Sequence, residues 1–354
     1  YSLISKGTES HSLRAVRGSL FSKAKKRPDL VRKVFSYYKE NGFSKTYKLV
    51  NDRLDKPMVL GYSTVGEIVE VGAMNSFFQV GDRVACSGGG YATHSEINYS
   101  PHNLMCKVPS GVKDLDAIFT TTGAIAMHGI RQSKATIGEN ILVVGLGLIG
   151  NLTIQILQSL GCNVIGLDIN EYALDFAKKT KLLKSENIFS IKDPDLLDKV
   201  MNLTKGKGVD KSLLTAQTTS DDPVKISGEL LIDRGTMVVT GLMPLNIPRD
   251  IFYAKELQIK FSRSYGPGRY DNVYEEKSID YPIGYVRWTI NRNMESFLEL
   301  IDQGKVNPSA LISHQYNVEN AAKAYDLIKN KKEPCMAVSL SFLNDKDSRS
   351  FLIV

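Results

Sequence analysis

Residues Ile141 to Asp168 decide the fold, and they read ILVVGLGLIGNLTIQILQSLGCNVIGLD. The stretch opens with a short apolar run, which predicts a buried strand, and then spaces Gly145, Gly147 and Gly150 as G-x-G-x-x-G. Apolar residues at helical spacing follow, and a second apolar run leads to Asp168. The predicted order is therefore strand, glycine turn, helix and second strand.

The three glycines have the separate tasks that a dinucleotide-binding turn requires. Gly145 allows a sharp turn, Gly147 omits a side chain that would hold a pyrophosphate off the backbone, and Gly150 lets the helix lie close to the strand. The start of the helix offers free N–H groups and a positive dipole end to phosphates. The turn residues expected to contact the cofactor are Gly145, Leu146, Gly147, Leu148, Ile149 and Gly150.

Asp168 distinguishes between the two nicotinamide dinucleotides. It stands at a strand end after the turn, where a carboxylate accepts hydrogen bonds from both hydroxyls of an adenosine ribose. A 2′-phosphate at this place would face a negative charge, so the sequence predicts NAD as the cofactor. The alternative is a glycine turn in an ordinary parallel sheet, but strand, helix and acid together favour the dinucleotide site.

The bulk properties fit an ordinary globular protein of two domains. The chain has 354 residues and no apolar run near the roughly 20 residues that span a bilayer, so no membrane partner is expected. It shows no secretory signal, although it begins with Tyr1 and not Met. Four scattered cysteines form neither a C-x-x-C pair nor a disulfide framework, which favours a cytoplasmic location.

The positive charge is concentrated in one segment. The net charge is +7, and most of the excess lies between Lys23 and Lys56. Two interpretations are open: a surface that faces an anionic substrate or an acidic partner, or the solvated face of an amphipathic helix. No motif supports nucleic-acid binding.

The rest of the chain predicts two domains of different kinds. Residues 28–53 have helical periodicity with a break at Asn41-Gly42, which predicts a helical hairpin. Between Val59 and Val108, short β-branched runs alternate with glycines, which is typical of a small irregular β-barrel. From Asp168 to Phe261, strands alternate with helices, which predicts a doubly wound parallel sheet. The elements after Met294 are expected to complete the first domain.

The β region contains VGEIVEVG (Val65 to Gly72) and VGDRV (Val80 to Val84), and the dinucleotide unit follows in mid-chain. This combination resembles the medium-chain dehydrogenase/reductase superfamily, the alcohol and sorbitol dehydrogenase relatives. The resemblance implies an α/β protein in which a Rossmann domain with a doubly wound parallel sheet splits a GroES-like β-barrel catalytic domain. The implied boundaries are 1–120 and 264–342 for the catalytic domain, with a helical insertion at about 20–56, 121–263 for the Rossmann domain, and 343–354 for a tail or linker.

A closer resemblance is to the N-terminal half of bi-domain oxidoreductases in which this unit is fused to an inositol-dehydrogenase-like domain. The segments that carry it are YSLISKGTES (1–10), FTTTGAIAMHGIR (119–131), SYGPGRYD (264–271) and YPIGYVRWT (281–289). The resemblance implies a second oxidoreductase domain as a fused or docked partner. Among relatives, dimerisation through the edge of the nucleotide sheet is common, so a homo-oligomer is expected.

The positions that bind catalytic zinc in the zinc members of the superfamily are replaced here. Those members use a Cys in a C-x-S/T-D-like turn, a G-H-E motif and a Cys or Glu at the domain boundary. By the resemblance, these positions carry Lys6, Tyr62 with Ser63, and Thr121. No metal is therefore predicted.

The remaining cysteines and histidines do not restore a zinc site. The four-cysteine structural zinc loop is absent, and Cys86 and Cys106 are expected in the core. Single histidines such as His94 and His102 are too few for three protein ligands.

Reduction of a carbonyl without a metal still needs a group that polarises the oxygen and a proton donor. Lys6 and Tyr62 are candidates for either role, with packing or a surface charge as the alternative. Thr8 and His11 keep the spacing of the proton relay of alcohol dehydrogenases, with a turn satisfied by its own backbone as the alternative.

Further candidate residues are implied at strand ends of the nucleotide sheet, where ligands bind in such folds. The resemblance places Thr122 against the nicotinamide. The residues expected to line the cofactor cleft are Ala216, Gly241 and Ser262 to Ser264. Tyr265 and Arg269, in an unusual loop, are candidates for substrate binding, with a rigid crossover between domains as the alternative.

The sequence thus favours a zinc-independent, NAD(H)-linked oxidoreductase that acts on an alcohol or carbonyl. The bi-domain resemblance suggests a sugar or a sugar derivative as substrate. One alternative is an NAD(P)H-dependent quinone or enone reductase, against which Asp168 argues because those enzymes usually prefer NADPH. The other is a non-catalytic, cofactor-binding scaffold for a partner oxidoreductase domain.

Overall fold

The computed structural model describes residues 1–5, 7, 9, 28–54, 59–72, 77–330, 333–342 and 351–353. Three predicted catalytic residues, Lys6, Thr8 and His11, lie outside this part of the chain. The described residues form an eight-stranded sheet and a six-stranded sheet.

The first part of the chain builds most of the eight-stranded sheet. Its elements are β1 (Ser2–Ile4), α1 (Pro28–Leu54), β2 (Ser63–Glu70), β3 (Arg83–Ser87), β4 (Ile97–Tyr99), β5 (Met105–Lys107), α2 (Asp114–Ala117) and α3 (Thr120–Ser133). The short, glycine-separated strands between Val59 and Val108 are confirmed as β2 to β5. After β5, the chain forms the short helix α2, and α3 follows after a short irregular step.

The six-stranded sheet lies in the middle of the chain. Its strands and helices are β6 (Asn140–Val144), α4 (Leu148–Ser159), β7 (Asn163–Asp168), α5 (Glu171–Lys179), β8 (Ile188–Ser190), α6 (Leu196–Leu203), β9 (Val209–Leu214), α7 (Asp222–Leu230), β10 (Leu231–Val239), α8 (Arg249–Ala254) and β11 (Gln258–Phe261). The strand order is β11-β10-β9-β6-β7-β8, and all neighbours are parallel. This confirms the doubly wound parallel sheet. The strand order reverses between β6 and β9, and in such sheets ligands bind outside the carboxyl ends of the strands at this point.

The last part of the chain returns to the first sheet. Its elements are α9 (Asn272–Glu275), α10 (Ile290–Asp302), β12 (Ile312–Asn317), α11 (Ala321–Asn330), β13 (Ala337–Ser341) and β14 (Phe351–Ile353). β13 pairs antiparallel with β1 and parallel with β12, so the prediction that these elements complete the first domain is confirmed. Residues 343–354 were expected to be a tail or linker, but Phe351–Ile353 forms a strand parallel to β2 and β4.

The helical segment α1 is broken where the sequence predicts. Gly42 has φ 76° and ψ 175°, which are not helical angles, and this divides α1 into two helices. The apolar stripe of the first helix is exposed: Val31, Phe35 and Tyr38 are 44–58% accessible. Both interpretations of the basic segment therefore stay open.

No helix within the described residues combines the length and the apolar character that crossing a membrane requires. All four cysteines are free and buried. Cys86 and Cys106 lie on the neighbouring strands β3 and β5 and belong to the core, as expected.

We expect Cys86 and Cys106 to resist alkylation in the native protein. Burial raises the pKa of Cys86 to about 12 and that of Cys106 well above 9, so at pH 8 both stay as protonated thiols. The measurement is iodoacetamide labelling followed by peptide mass spectrometry, before and after unfolding in guanidinium chloride. Labelling of native Cys86 as fast as that of the unfolded chain would contradict the burial described above.

Candidate active site

The glycine turn after β6 has the close contacts that its spacing predicts. Gly145 has φ 103°, and a Cβ built on it would lie 2.6 Å from the backbone nitrogen of Ala216. A Cβ on Gly150 would lie only 1.8 Å from the carbonyl oxygen of Gly145. A Cβ on Gly147 would meet no atom within 4 Å. The turn and the tight helix contact are therefore confirmed, and the open space at Gly147 fits a pyrophosphate.

Asp168 lies against this turn. Its Oδ2 accepts a hydrogen bond from the Leu146 N–H at 2.6 Å, and its Oδ1 accepts one from the Asn170 N–H at 2.8 Å. The carboxylate thus stands at the carboxyl end of β7, beside the start of α4, where an adenosine ribose would follow the pyrophosphate. The N-cap Gly147 provides no side-chain hydrogen bond, so the first N–H groups of α4 can bind phosphate. These residues fit the dinucleotide.

Asn151 is a residue of this turn that the sequence analysis missed. Its Nδ2 donates to the carbonyl of Leu146 at 2.6 Å and to that of Gly147 at 2.9 Å. It holds the two turn residues that the pyrophosphate would approach. In the sequence, the signal that could have identified it is a polar residue directly after the last glycine of the motif, at a position that the structure buries completely.

The other predicted cleft residues lie at strand ends. A Cβ on Gly241 would lie 2.0 Å from the Ala216 carbonyl, so the chain segments after β9 and β10 meet beside Gly145. Ser262 follows β11, and its buried Oγ has no hydrogen-bond partner among the described residues. Thr122 is fully buried in α3, and its hydroxyl donates to the carbonyl of Phe119 at 2.9 Å. Contact of these residues with a cofactor remains a prediction.

Two of the positions that the resemblance equates with zinc ligands, Tyr62 and Thr121, lie next to each other. The carbonyl of Tyr62 accepts hydrogen bonds from the Gly88 N–H at 3.0 Å and from the Thr121 hydroxyl at 3.2 Å. Ser63 is buried, and its hydroxyl donates to the carbonyl of Ile118 at 2.6 Å. The fold therefore brings Tyr62 and Thr121 together, whereas the Ser63 hydroxyl bonds the end of α2.

Gly7, the residue after Lys6, shows where this turn lies. A Cβ on Gly7 would lie 3.3 Å from Oε1 of Gln217, which follows β9 in the Rossmann domain. The turn thus borders the cleft between the two domains, close to Ala216. The catalytic roles of Lys6, Thr8 and His11 stay predictions.

The residue types at this place do not fit a catalytic zinc ion. Tyr62, Ser63 and Thr121 offer hydroxyl groups where zinc needs imidazole, thiolate or carboxylate ligands. Within the described ranges, no group of three or more His, Cys, Asp or Glu side chains is arranged to hold a metal. His94 lies near Tyr62, but its ring contacts Glu9 and Ser2 instead.

Tyr265 and Arg269 are largely enclosed by protein. Tyr265 is 3% accessible, and burial raises the pKa of its hydroxyl to about 12. Arg269 forms an ion pair with Glu275, and its guanidinium carbon lies 4.3 Å from the ring centre of Tyr270. Because Glu275 already neutralises the charge of Arg269, a rigid crossover between domains is favoured over substrate binding as the interpretation of this loop.

Comparisons with known proteins agree with this architecture. A family model described as "Alcohol dehydrogenase GroES-like domain" matches residues 36–143, and one described as "Zinc-binding dehydrogenase" matches residues 149–278. Sorbitol dehydrogenase of Bacillus subtilis (strain 168) is 25% identical over 338 residues, which cover 85% of this chain and 84% of that protein. A protein named "Probable D-xylulose reductase A" from Aspergillus fumigatus is 26% identical over 309 residues, 78% of either chain.

Among solved structures, alcohol dehydrogenase TADH from Thermus sp. ATN1 superimposes with a TM-score of 0.62. The sequence identity is 16%, and the match covers 84% of this chain and 89% of that one, which shows a shared fold. The chain belongs to the medium-chain dehydrogenase/reductase superfamily of alcohol dehydrogenase-like, NAD(P)-binding enzymes.

Replacing single glycines of the turn separates cofactor binding from folding. In Gly147→Ala the new methyl group meets no protein atom, and φ −73° suits alanine, so the free energy of unfolding should change by less than about 1 kcal/mol. The methyl group should nevertheless weaken NADH binding about tenfold or more, because it occupies the space of the pyrophosphate. Nicotinamide fluorescence titration and chemical unfolding measure the two effects.

Gly150→Ala is the matched control for that variant. Its methyl group would collide with the carbonyl of Gly145, so it should lower the free energy of unfolding by about 3 kcal/mol. Wild-type NADH affinity in Gly147→Ala would show that the pyrophosphate does not lie on this turn.

Proposed function

We propose that this protein is an NAD(H)-linked oxidoreductase that interconverts an alcohol and a carbonyl of a sugar derivative without catalytic zinc. The observation that carries the proposal is the position of Asp168, whose carboxylate lies 2.6 Å from the N–H of the glycine turn. Tyr62 and Thr121, two positions that the resemblance equates with zinc ligands, lie together, because the Thr121 hydroxyl donates to the carbonyl of Tyr62.

The choice of NAD over NADP rests on charge. Asp168 accepts two backbone hydrogen bonds and can still accept from ribose hydroxyls, because a carboxylate has about four acceptor sites. A 2′-phosphate at this place would bring like charges together, which disfavours NADP and the quinone or enone reductase alternative. Bound NADH would supply the hydride to the carbonyl carbon.

The chain itself must then supply a proton to the carbonyl oxygen and stabilise the charge that develops there. We assign these tasks to the Tyr62 hydroxyl and the Lys6 ammonium group, because the sequence resemblance aligns these two residues with zinc ligands of the superfamily. Donation of one proton to the oxygen as the hydride reaches the carbon completes the alcohol. Thr8 and His11 would return a proton from solvent to that donor.

The names of the relatives suggest polyols and ketoses as the substrate class. Their printed names are sorbitol dehydrogenase and D-xylulose reductase, at 25–26% identity across about four fifths of this chain. Sorbitol with NAD⁺, and D-xylulose with NADH, are therefore the first substrates to test. The four free, buried cysteines support a cytoplasmic location. A homo-oligomer and an inositol-dehydrogenase-like partner domain remain part of the proposal and rest on the sequence resemblance.

Replacing Asp168 tests the cofactor assignment. Asp168→Ala should weaken NADH binding by about 2 kcal/mol, roughly thirtyfold in Kd, because the ribose loses charged hydrogen bonds. NADPH binding should change less or improve, because the repulsion is removed. Nicotinamide fluorescence reports both constants, and metal analysis of the same sample tests the absence of stoichiometric zinc. An equal loss of affinity for NADH and NADPH would contradict the selection of NAD by charge. One zinc ion per chain would contradict the metal-free site.

Replacing Tyr62 distinguishes a catalytic protein from a non-catalytic, cofactor-binding scaffold. Tyr62→Phe should lower kcat with sorbitol or D-xylulose about a hundredfold and leave the Kd for NADH unchanged, because only the proton donor is lost. Tyr285→Phe is the control, since Tyr285 is 91% exposed. If the wild-type chain binds NADH but no polyol, ketose or quinone is turned over, the scaffold becomes the better interpretation.

A further inference from the structure

Four polar side chains form a buried chain of hydrogen bonds next to the candidate active site. The Ser2 hydroxyl lies 2.7 Å from Nδ1 of His94, and Nε2 of His94 lies 3.2 Å from Oε2 of Glu9. The hydroxyl of Tyr325, in α11, donates to the same oxygen of Glu9. The side chains of His94 and Glu9 are 8% and 3% accessible. None of these four residues is used in the proposed chemistry.

This hydrogen-bond chain joins the two segments that carry the candidate catalytic residues. Glu9 belongs to the turn that follows β1: its N–H donates to the Ser5 carbonyl at 3.0 Å, and its Oε1 accepts from the Ser5 N–H at 3.2 Å. His94 belongs to the other segment: its N–H donates to the Leu60 carbonyl at 2.9 Å.

The approach of His94 to this second segment is as close as a glycine allows. A Cβ on Gly61 would lie 2.6 Å from the backbone nitrogen of His94. Gly61 directly precedes Tyr62, and Lys6 and Thr8 lie between Ser5 and Glu9 in the sequence. The contact between Glu9 and His94 therefore links the turn of Lys6 to the segment of Tyr62.

A buried carboxylate is a strong anchor when donors surround it. Glu9 has three: the Ser5 N–H, the Tyr325 hydroxyl and the imidazole of His94. Burial and the neighbouring Glu9 carboxylate raise the pKa of Tyr325, so this hydroxyl stays protonated and keeps donating. Removing one donor from such a cluster leaves a buried acceptor unsatisfied, which is costly.

The order Ser2, His94, Glu9 also resembles a nucleophilic triad, but the geometry argues against that use. Ser2 lies in β1 with 0% accessibility, and β1 pairs with β2 on one side and β13 on the other. A nucleophile must reach a substrate, and a fully buried hydroxyl does not. The serine instead serves His94, because a hydroxyl can donate to Nδ1 or accept from it.

We infer that Glu9 and His94 are positioning residues that fix the turn of Ser5, Gly7 and Glu9 against the segment of Leu60 and Gly61, which leads to Tyr62. This inference rests on the proposed function, because it concerns the geometry of the proposed proton donors. The hydrogen-bonded pair does what a metal ion bound by both segments would do: it fixes the distance between the turn and the segment before β2. Displacing a donor by about 1 Å can cost about a hundredfold in rate.

Two substitutions of the same histidine test the inference. Gln reaches as far as Nε2 and keeps an N–H donor toward Glu9, whereas Asn reaches only as far as Nδ1 and leaves Glu9 without that donor. His94→Gln should keep kcat for D-xylulose reduction within about threefold of wild type, and His94→Asn should lower it about thirtyfold. The Kd for NADH should stay unchanged in both, because the hydrogen bonds of the His94 ring go to Ser2 and Glu9 and not to Asp168 or the glycine turn.

Two further readouts separate positioning from other roles. His94→Gln should keep the shape of the wild-type pH profile of kcat, since the ring would not itself be the proton donor. Hydrogen–deuterium exchange of the peptide that spans Ser2 to Glu9 should accelerate in His94→Asn and not in His94→Gln. If His94→Asn fails to fold, Tyr325→Phe removes a different donor from Glu9. It should lower kcat and accelerate the exchange of the same peptide, each to a smaller extent.

Equal loss of kcat in both His94 variants would overturn the inference, and so would wild-type exchange and kcat in His94→Asn. If the wild-type chain binds NADH but reduces no sugar, the exchange measurement still decides whether the pair fixes the turn. Failure of the proposed function would then be seen in the wild-type protein, and failure of the positioning role only in the variants.

Discussion

The contact between α4 and β6 at Gly150 is the constraint on which the rest of the cofactor domain depends. The Gly145 carbonyl points at the Cα of Gly150 and also accepts from the Thr215 hydroxyl at 2.7 Å, so helix, turn and the end of β9 meet at one oxygen. The Gly145 N–H donates to Leu167 at 2.7 Å, which ties in β7. Three strand ends are thereby held at one point, and the space over Gly147 stays open for phosphate.

The second domain is attached to this centre through α3. A Cβ on Gly123 would lie 2.4 Å from the ring of Phe297, so α3 and α10 pack with no space for a side chain between them. Arg131, further along α3, donates to Asn293 at 2.8 Å. Because α3 includes Thr121, whose hydroxyl bonds the carbonyl of Tyr62, this packing also holds the segment of Tyr62.

The chemistry proposed for the cleft follows from what replaces the metal ligands. Hydroxyl groups at Tyr62 and Thr121 cannot act as zinc ligands of the superfamily's type, but a phenol can donate a proton to an oxygen. In the proposed metal-free site, bonds other than metal coordination must fix the distance between the two segments. The buried carboxylate of Glu9, with donors from three elements, supplies such a connection.

The sequence by itself determined the parallel sheet, the glycine turn, Asp168 and the replacement of the zinc ligands. These features depend on local spacing. The G-x-G-x-x-G motif needs its strand and helix within about 30 residues, and the periodicity of apolar residues predicts a helix or strand from the segment itself. The break at Gly42 is local for the same reason. Only the tertiary structure decided which distant residues meet. The contact of His94 with Glu9, 85 residues apart, the ion pair that occupies Arg269, and the pairing of Phe351–Ile353 with β2 and β4 all depend on how the chain closes, which no local pattern specifies.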